Sequence, residues 1–146
     1  MSVVSPVILL VDSYNPHRVL EEGILFRAGF HYFSATDATS AETVFAREEI
    51  DLVVVSARLA AGGPGYVLDY KADLEPTNSV RLVTRLRDKQ LNLPVLFLLS
   101  RIPSANVFDA LRLENPDFDC EAIGFLTRGQ FDGEDMVRVI RELLGQ

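Results

Sequence analysis

Cysteine is nearly absent from this chain of 146 residues. Cys120 stands alone, so no intrachain disulfide can form and no cysteine cluster can bind zinc. Lysine is almost as scarce: of fourteen cationic residues only Lys71 and Lys89 are lysines, and the arginines are dispersed, so no polybasic membrane anchor is visible. Seven net negative charges argue against a nucleic-acid surface, which needs clustered cations to displace counterions. Long hydrophobic runs are missing too, since none approaches the roughly 20 residues of a membrane helix. The opening Met-Ser-Val-Val-Ser-Pro has no cationic n-region, and the run at 7–11 is too short for a signal sequence. A cytoplasmic location is expected, with no membrane and no nucleic-acid partner.

What is present is a globular composition, 48% hydrophobic and 24% charged, read as one domain over residues 1–146. Short apolar runs alternate with helical patterns. Val7-Ile-Leu-Leu-Val11 reads as a strand buried on both faces, 31–36 as a weak second strand, and 52–55 as a β-branched, central third. Residues 95–99 and 122–126 supply the fourth and fifth.

Between them, Asn15-Pro16 opens a helix with Val19, Leu20, Ile24 and Phe26 on its apolar stripe, and Gly29 ends it. Thr39 and Glu42 have the spacing of a capping box for the second helix. Helices after Ser79, after Ser104 and over 132–144 complete the series. Five strands alternating with five helices require parallel pairing through right-handed crossovers. The expected fold is α/β, a flavodoxin-like, doubly wound five-stranded parallel sheet in the order 2-1-3-4-5. The stretch 60–78 breaks the rhythm, being far longer than the 2–6 residues usual for such a connection.

Ligands of open α/β sheets gather at the carboxyl ends of the strands. Those ends offer Asp12, Ser13, Ser56, Ser100 and Arg128. Asp12-Ser13 after the first strand and Ser56 after the third resemble the phosphoacceptor pocket of CheY-like receiver domains, the input modules of bacterial response regulators. The resemblance implies that Asp12 matches the first acid of the pocket and that Ser13 replaces the second. Ser56 then stands in place of the aspartate that takes the phosphoryl group. Leu99 falls at the family's switch hydroxyl, with Ser100 one place later. Arg128 takes the place of the phosphate-contacting lysine, and Gly129 that of the proline that often follows it. Ser56 as a nucleophile needs a base, and neither His17 nor His31 falls at an expected strand end. An ion pair between Asp12 and Arg128 is favoured slightly over two solvated charges.

Gly62-Gly-Pro-Gly65 lacks the Lys-Ser/Thr of a phosphate loop and reads as turn-forming. Asp117, Asp119 and Glu121 read as a solvated acidic loop. The expected function is therefore that of a non-catalytic pseudo-receiver, with no cofactor and no metal, acting through a protein partner or self-association as a homo-oligomer. In the family the face around the fourth and fifth strands is a common docking surface, which would here include Val107, Phe108, Leu111 and Phe125. For Phe108 and Phe125 a plain core role is favoured over docking, given how often phenylalanine is buried. Tyr66 and Tyr70, four apart in the 60–78 insertion, would share one side of a helical turn as binding anchors, or fold back over the sheet edge.

A narrower resemblance runs through residues 82–101 and 51–56. It is to the receiver-like N-terminal wing domain of bacterial Orn/Lys/Arg decarboxylases that use pyridoxal phosphate. That likeness implies an assembly role and concerns the wing alone, since neither lysine sits in a cofactor-binding setting.

Overall fold

The structure, a computed structural model, describes residues 5–68, 75–100 and 102–146. Its elements follow in the order β1 (Val7–Val11), α1 (Asn15–Arg27), β2 (His31–Ala35), α2 (Ala38–Arg47) and β3 (Leu52–Ser56). There follow α3 (Thr77–Lys89), β4 (Val95–Leu99), α4 (Ser104–Glu114), β5 (Ile123–Thr127) and α5 (Gly133–Leu143). The five strands form one parallel sheet in the order β2-β1-β3-β4-β5. The expected doubly wound architecture is therefore present.

Side chains alternate across the sheet, and each face has its own helical cover. Leu9, Val11, Val53, Val55, Val95 and Phe97 pack against α2, α3 and α4 through Phe45, Val83, Leu86, Val107 and Leu111. Ile8, Leu10, Leu52, Val54, Leu96 and Leu98 meet Leu25 of α1 and Met136 and Ile140 of α5. Burial on both faces is why β1, β3 and β4 read as unbroken apolar runs. Each such side chain contributes roughly 1.5–3 kcal/mol by leaving water. Among the described residues no helix is long and apolar enough to cross a membrane.

Several boundaries differ from the sequence reading. Helix α1 is the largest correction. Val19, Leu20 and Phe26 are 56%, 67% and 74% exposed, whereas Glu21 and Leu25 point inward. The helix has apolar residues on two faces, and the choice between them is made by Glu21, which finds a partner at the strand ends. The α2 cap is Asp37, whose carboxylate accepts from Ser40 N at 2.7 Å, and not Thr39. Thr39 instead donates its hydroxyl to Ala61 O. Helix α3 starts at Thr77, three positions earlier than read, and Ser79 lies buried within its first turn, its hydroxyl 3.0 Å from both Pro76 O and Ala57 O with one proton to share between them. Ser104 gives α4 no side-chain cap, whereas Asp132 and Asp135 cap α5 reciprocally.

The start of the 60–78 insertion is ordered and tied to the neighbouring helices. Ala38 N and Thr39 N donate to the carbonyls of Ala60 and Ala61. Asn78 Oδ1 accepts from Val67 N at 2.7 Å, and its amide donates to Leu59 O and Val67 O. Tyr66 packs against the core and donates its hydroxyl to Glu42 at 2.9 Å, with the Arg85 guanidinium 4.8 Å from its ring centre. Burial and the Glu42 carboxylate together raise the Tyr66 phenol above its ordinary value. Tyr66 is thus a structural strut. Tyr70 lies outside the described residues.

Candidate functional site

Parallel pairing brings the carboxyl ends of β1, β3, β4 and β5 to one edge. Asp12 follows β1 there and is 1% exposed. Its backbone N–H donates to Ala35 O, and its Oδ1 accepts from Tyr14 N at 3.0 Å, which fixes the carboxylate toward the neighbouring strands. Ser13 Oγ accepts from Ala60 N at 2.9 Å. Ser56 closes β3 and is 3% exposed. Arg128 directly follows β5, held by its N–H to Leu99 O.

Arg128 organises the site. Its Nη2 donates to Asp12 Oδ2 at 2.6 Å and to Glu21 Oε2 at 3.0 Å, and its Nη1 to Ser56 Oγ at 3.3 Å. Charge-assisted bonds of this length are the strong class, and they form here away from water. Two carboxylates and one guanidinium then share a buried space. Burial pushes the Glu21 carboxyl up to about 9, with Asp12's hydrogen bond and charge adding to it and Arg128 opposing. Glu21 accordingly keeps its proton at neutral pH, and Asp12 with Arg128 forms the ion pair proper. His17 is lowered by burial and by the charges of Arg128 and Arg58, against the pull of Asp12.

A pocket of about 500 Å³ opens over this cluster and is lined by Asp12, Ser13, His17, Ser56, Arg58, Ser100 and Arg128 among others. Leu99, read at the switch position, is 4% exposed and belongs to the core, because its side chain alternates onto the α3–α4 face of the sheet. Ser100 is the residue that lines the pocket. Gly129 keeps a φ of +86° and there is no cis peptide bond among the described residues.

The sequence reading missed Glu21 and Arg58, and it set aside His17, which α1 brings to the pocket although no strand ends there. His17 and Glu21 stand four apart at the head of the helix that leaves β1, so one face carries both over the strand ends. That spacing was the available signal, and an apolar stripe read through the neighbouring Leu20 and Ile24 concealed it.

Magnesium chemistry does not fit these donors. A small hard cation needs several oxygen ligands. Asp12 is committed to Tyr14 N–H and Arg128, Ser13 to Ala60 N–H, and Glu21 keeps a proton. Among the described residues no cluster of three or more His, Cys, Asp or Glu has metal-binding placement.

The other sequence-derived candidates lie apart from this pocket. Val107 and Leu111 are fully buried, so they offer nothing to a partner. Their burial follows from α4 laying one face on β4 and α3. Phe108 and Phe125 are half-buried, their ring centres 4.8 Å apart at 60°, with Phe97 stacked 5.6 Å beyond. Asp119 and Glu121 are exposed, while their backbone carbonyls accept from the buried Arg87.

Solved structures share this fold. A response regulator receiver protein from Sinorhizobium medicae WSM419 superposes with a TM-score of 0.70 at 19% identity, covering 99% of this chain and 98% of that one. The fold is that of receiver domains. The signal receiver domain of an HD domain-containing protein from Pseudomonas fluorescens Pf-5 gives 0.72 at 21% identity, over 97% and 96% of the two chains. NtrX from Brucella abortus gives 0.73 at 22% identity over 97% of this chain, which spans 27% of that longer protein. Identities at this level establish the receiver-like fold and nothing finer. No protein-family model matches the chain, and no curated protein matches it in sequence.

Proposed function

We propose that this chain is a receiver-fold domain that works without aspartyl phosphorylation, in signalling or regulation, through protein–protein contacts. The Arg128 guanidinium bridging Asp12, Glu21 and Ser56 carries this reading. A phosphoacceptor needs a carboxylate or an activated hydroxyl. Ser56 has neither a carboxylate nor a base bonded to it, because its partner Arg128 is a pure donor and cannot take a proton. The internal guanidinium supplies the positive charge that a metal would otherwise bring, so the pocket is electrostatically complete in its resting form.

The partner on this reading is another protein or a second copy of the chain. The formal charge of −7 speaks against nucleic acid, and the free thiol of Cys120 is compatible with a reducing cytoplasm. The reading is tested by incubation with acetyl phosphate and magnesium followed by intact-mass measurement. Unchanged mass is the expected result. An added phosphate, whether acid-labile or stable, would overturn it.

A further inference from the structure

Large apolar side chains left in water are not spread evenly over this chain. Of the eight that are exposed among the described residues, Tyr14, Val19, Leu20 and Phe26 fall between positions 14 and 26. The other four, Phe33, Leu68, Leu91 and Leu113, stand singly in different parts of the fold. Exposed apolar residues that cluster mark contact surfaces, whereas scattered ones need no explanation. Glu21 and Leu25 turn inward, which leaves Gly23 at the centre of the outward face of α1. Val19 and Leu20 stand four and three positions before it, Phe26 and Arg27 three and four after, so all four flank it on that face. A glycine within a helix weakens it relative to alanine. Nothing among the described residues requires one here. Gly23 has no left-handed φ, and a Cβ would meet only the far end of the exposed Arg27, 3.1 Å away at Nη1.

We infer that this face of α1 binds a second copy of the chain, the two helices crossing antiparallel at Gly23 about a two-fold axis. A two-fold contact requires a surface that complements itself. The near-symmetric spacing about Gly23 provides this. Val19 and Leu20 of one copy meet Phe26 and the aliphatic stem of Arg27 of the other, and the missing side chain lets the backbones come close. Antiparallel helices also set opposite dipole ends together. Charge agrees with self-association here. At −7 two copies repel in general, yet this face carries Arg18, Glu22 and Arg27 and no net negative charge. Glu22 is moreover engaged by Arg18 at 3.5 Å and by the Ser34 hydroxyl at 3.0 Å. Area sets the strength. Val19, Leu20 and Phe26, each more than half exposed, offer roughly 350 Å² of apolar surface per copy, so about 700 Å² in the pair. Interfaces are about 60% apolar, which implies about 1,200 Å² in total, the lower limit for a specific complex. A weak, reversible dimer follows, with a dissociation constant on the order of tens of micromolar. This rests on the proposed role in protein–protein contacts and names its partner.

The test is sedimentation velocity of the full chain between about 5 and about 500 µM, which brackets the expected dissociation constant. The expected result is a monomer that becomes a dimer, and nothing larger, over that range. Phe26→Glu should weaken the dimer at least about tenfold, and Leu113→Glu, the same kind of change at an exposed position of α4, should leave it unaltered. Both side chains are exposed, so these variants fold. Gly23→Ala separates contact from structure. It should raise the melting temperature of the dilute, monomeric chain by about 2–4 °C while weakening dimerisation several-fold. A fall in that temperature, or a dimer unaffected by the added methyl, would mean that the glycine serves the fold and would overturn the crossing at Gly23. A monomer at every concentration, a dimer indifferent to Phe26→Glu, one abolished by Leu113→Glu, or growth into open chains would overturn the proposal as a whole. No phosphodonor enters this assay, so its failure leaves the acetyl phosphate result standing and the reverse also holds.

Discussion

Burial raises the Glu21 carboxyl from its ordinary 4.5 to about 9, and this ties stability to pH in a definite direction. Between those values the unfolded chain has released the proton and the folded chain has not. Folding then takes up a proton, so Glu21's contribution is fully present below about 4.5 and is lost as pH rises through about 9. The slope is at most about 1.4 kcal/mol per pH unit. Glu21→Gln keeps the shape and never ionises. Its stability relative to the parent should therefore grow with pH, by roughly 2 kcal/mol or more between about pH 5 and about pH 8. Urea denaturation at the two pH values checks this, and a constant difference would mean that Glu21 is ionised beside Arg128. At this scale Asp12, Ser56 and Arg128 were legible because a strand end marks a position in a parallel sheet. Glu21 was not, because a buried acid defies the hydrophobic pattern by which helical faces are read. Leu99 and Ser100 show the same limit on β4, where one step of register separates core from pocket.

Among the elements, the strands were read nearly to the residue, since continuous apolar runs admit one interpretation once five of them alternate with helices. Helix α1 was read correctly at Ile24 and wrongly at Val19, Leu20 and Phe26, which are exposed while Leu25 takes the buried place. Within the stretch that resembled a decarboxylase wing, residues 82–99 form most of α3, its turn and β4, a unit that any receiver-like sheet contains, so it discriminates little. Whether the loop after β3 was ordered stayed open in the sequence because its anchors are backbone carbonyls and the side chains of α2 and α3, which no local pattern announces. Gly62 is where that tether can be broken. It sits at φ +73°, and a Cβ there would lie 2.2 Å from the Asp37 carboxyl carbon. Gly62→Ala must displace the α2 cap as well as strain the backbone, a combined cost of about 2–4 kcal/mol. Chemical denaturation should show that loss with an unchanged m-value. A loss below about 0.5 kcal/mol, the ordinary range for a surface substitution, would show that the loop does not depend on this contact.

For the whole molecule, the bond from Arg128 to Asp12 joins positions 116 apart in sequence. A contact of that separation forms after the loops between have closed, and sheets of parallel strands fold slowly for this reason. Arg128→Met leaves Asp12 buried without its cation, at a cost of about 3–5 kcal/mol. Stopped-flow kinetics should place nearly all of this in unfolding, accelerating it at least about a hundredfold while folding barely changes. Folding slowed in equal proportion would instead put Arg128 in the nucleus. Late closure has a consequence during synthesis. A chain that has left the ribosome only as far as β4 carries Asp12 after β1 and Glu21 within α1, with an open sheet edge that β5 will cover and without the arginine that bridges the two acids. Such a nascent domain is expected to hold its first four strands loosely and to remain a substrate for chaperones and proteases until Arg128 emerges and locks the first strand to the fifth.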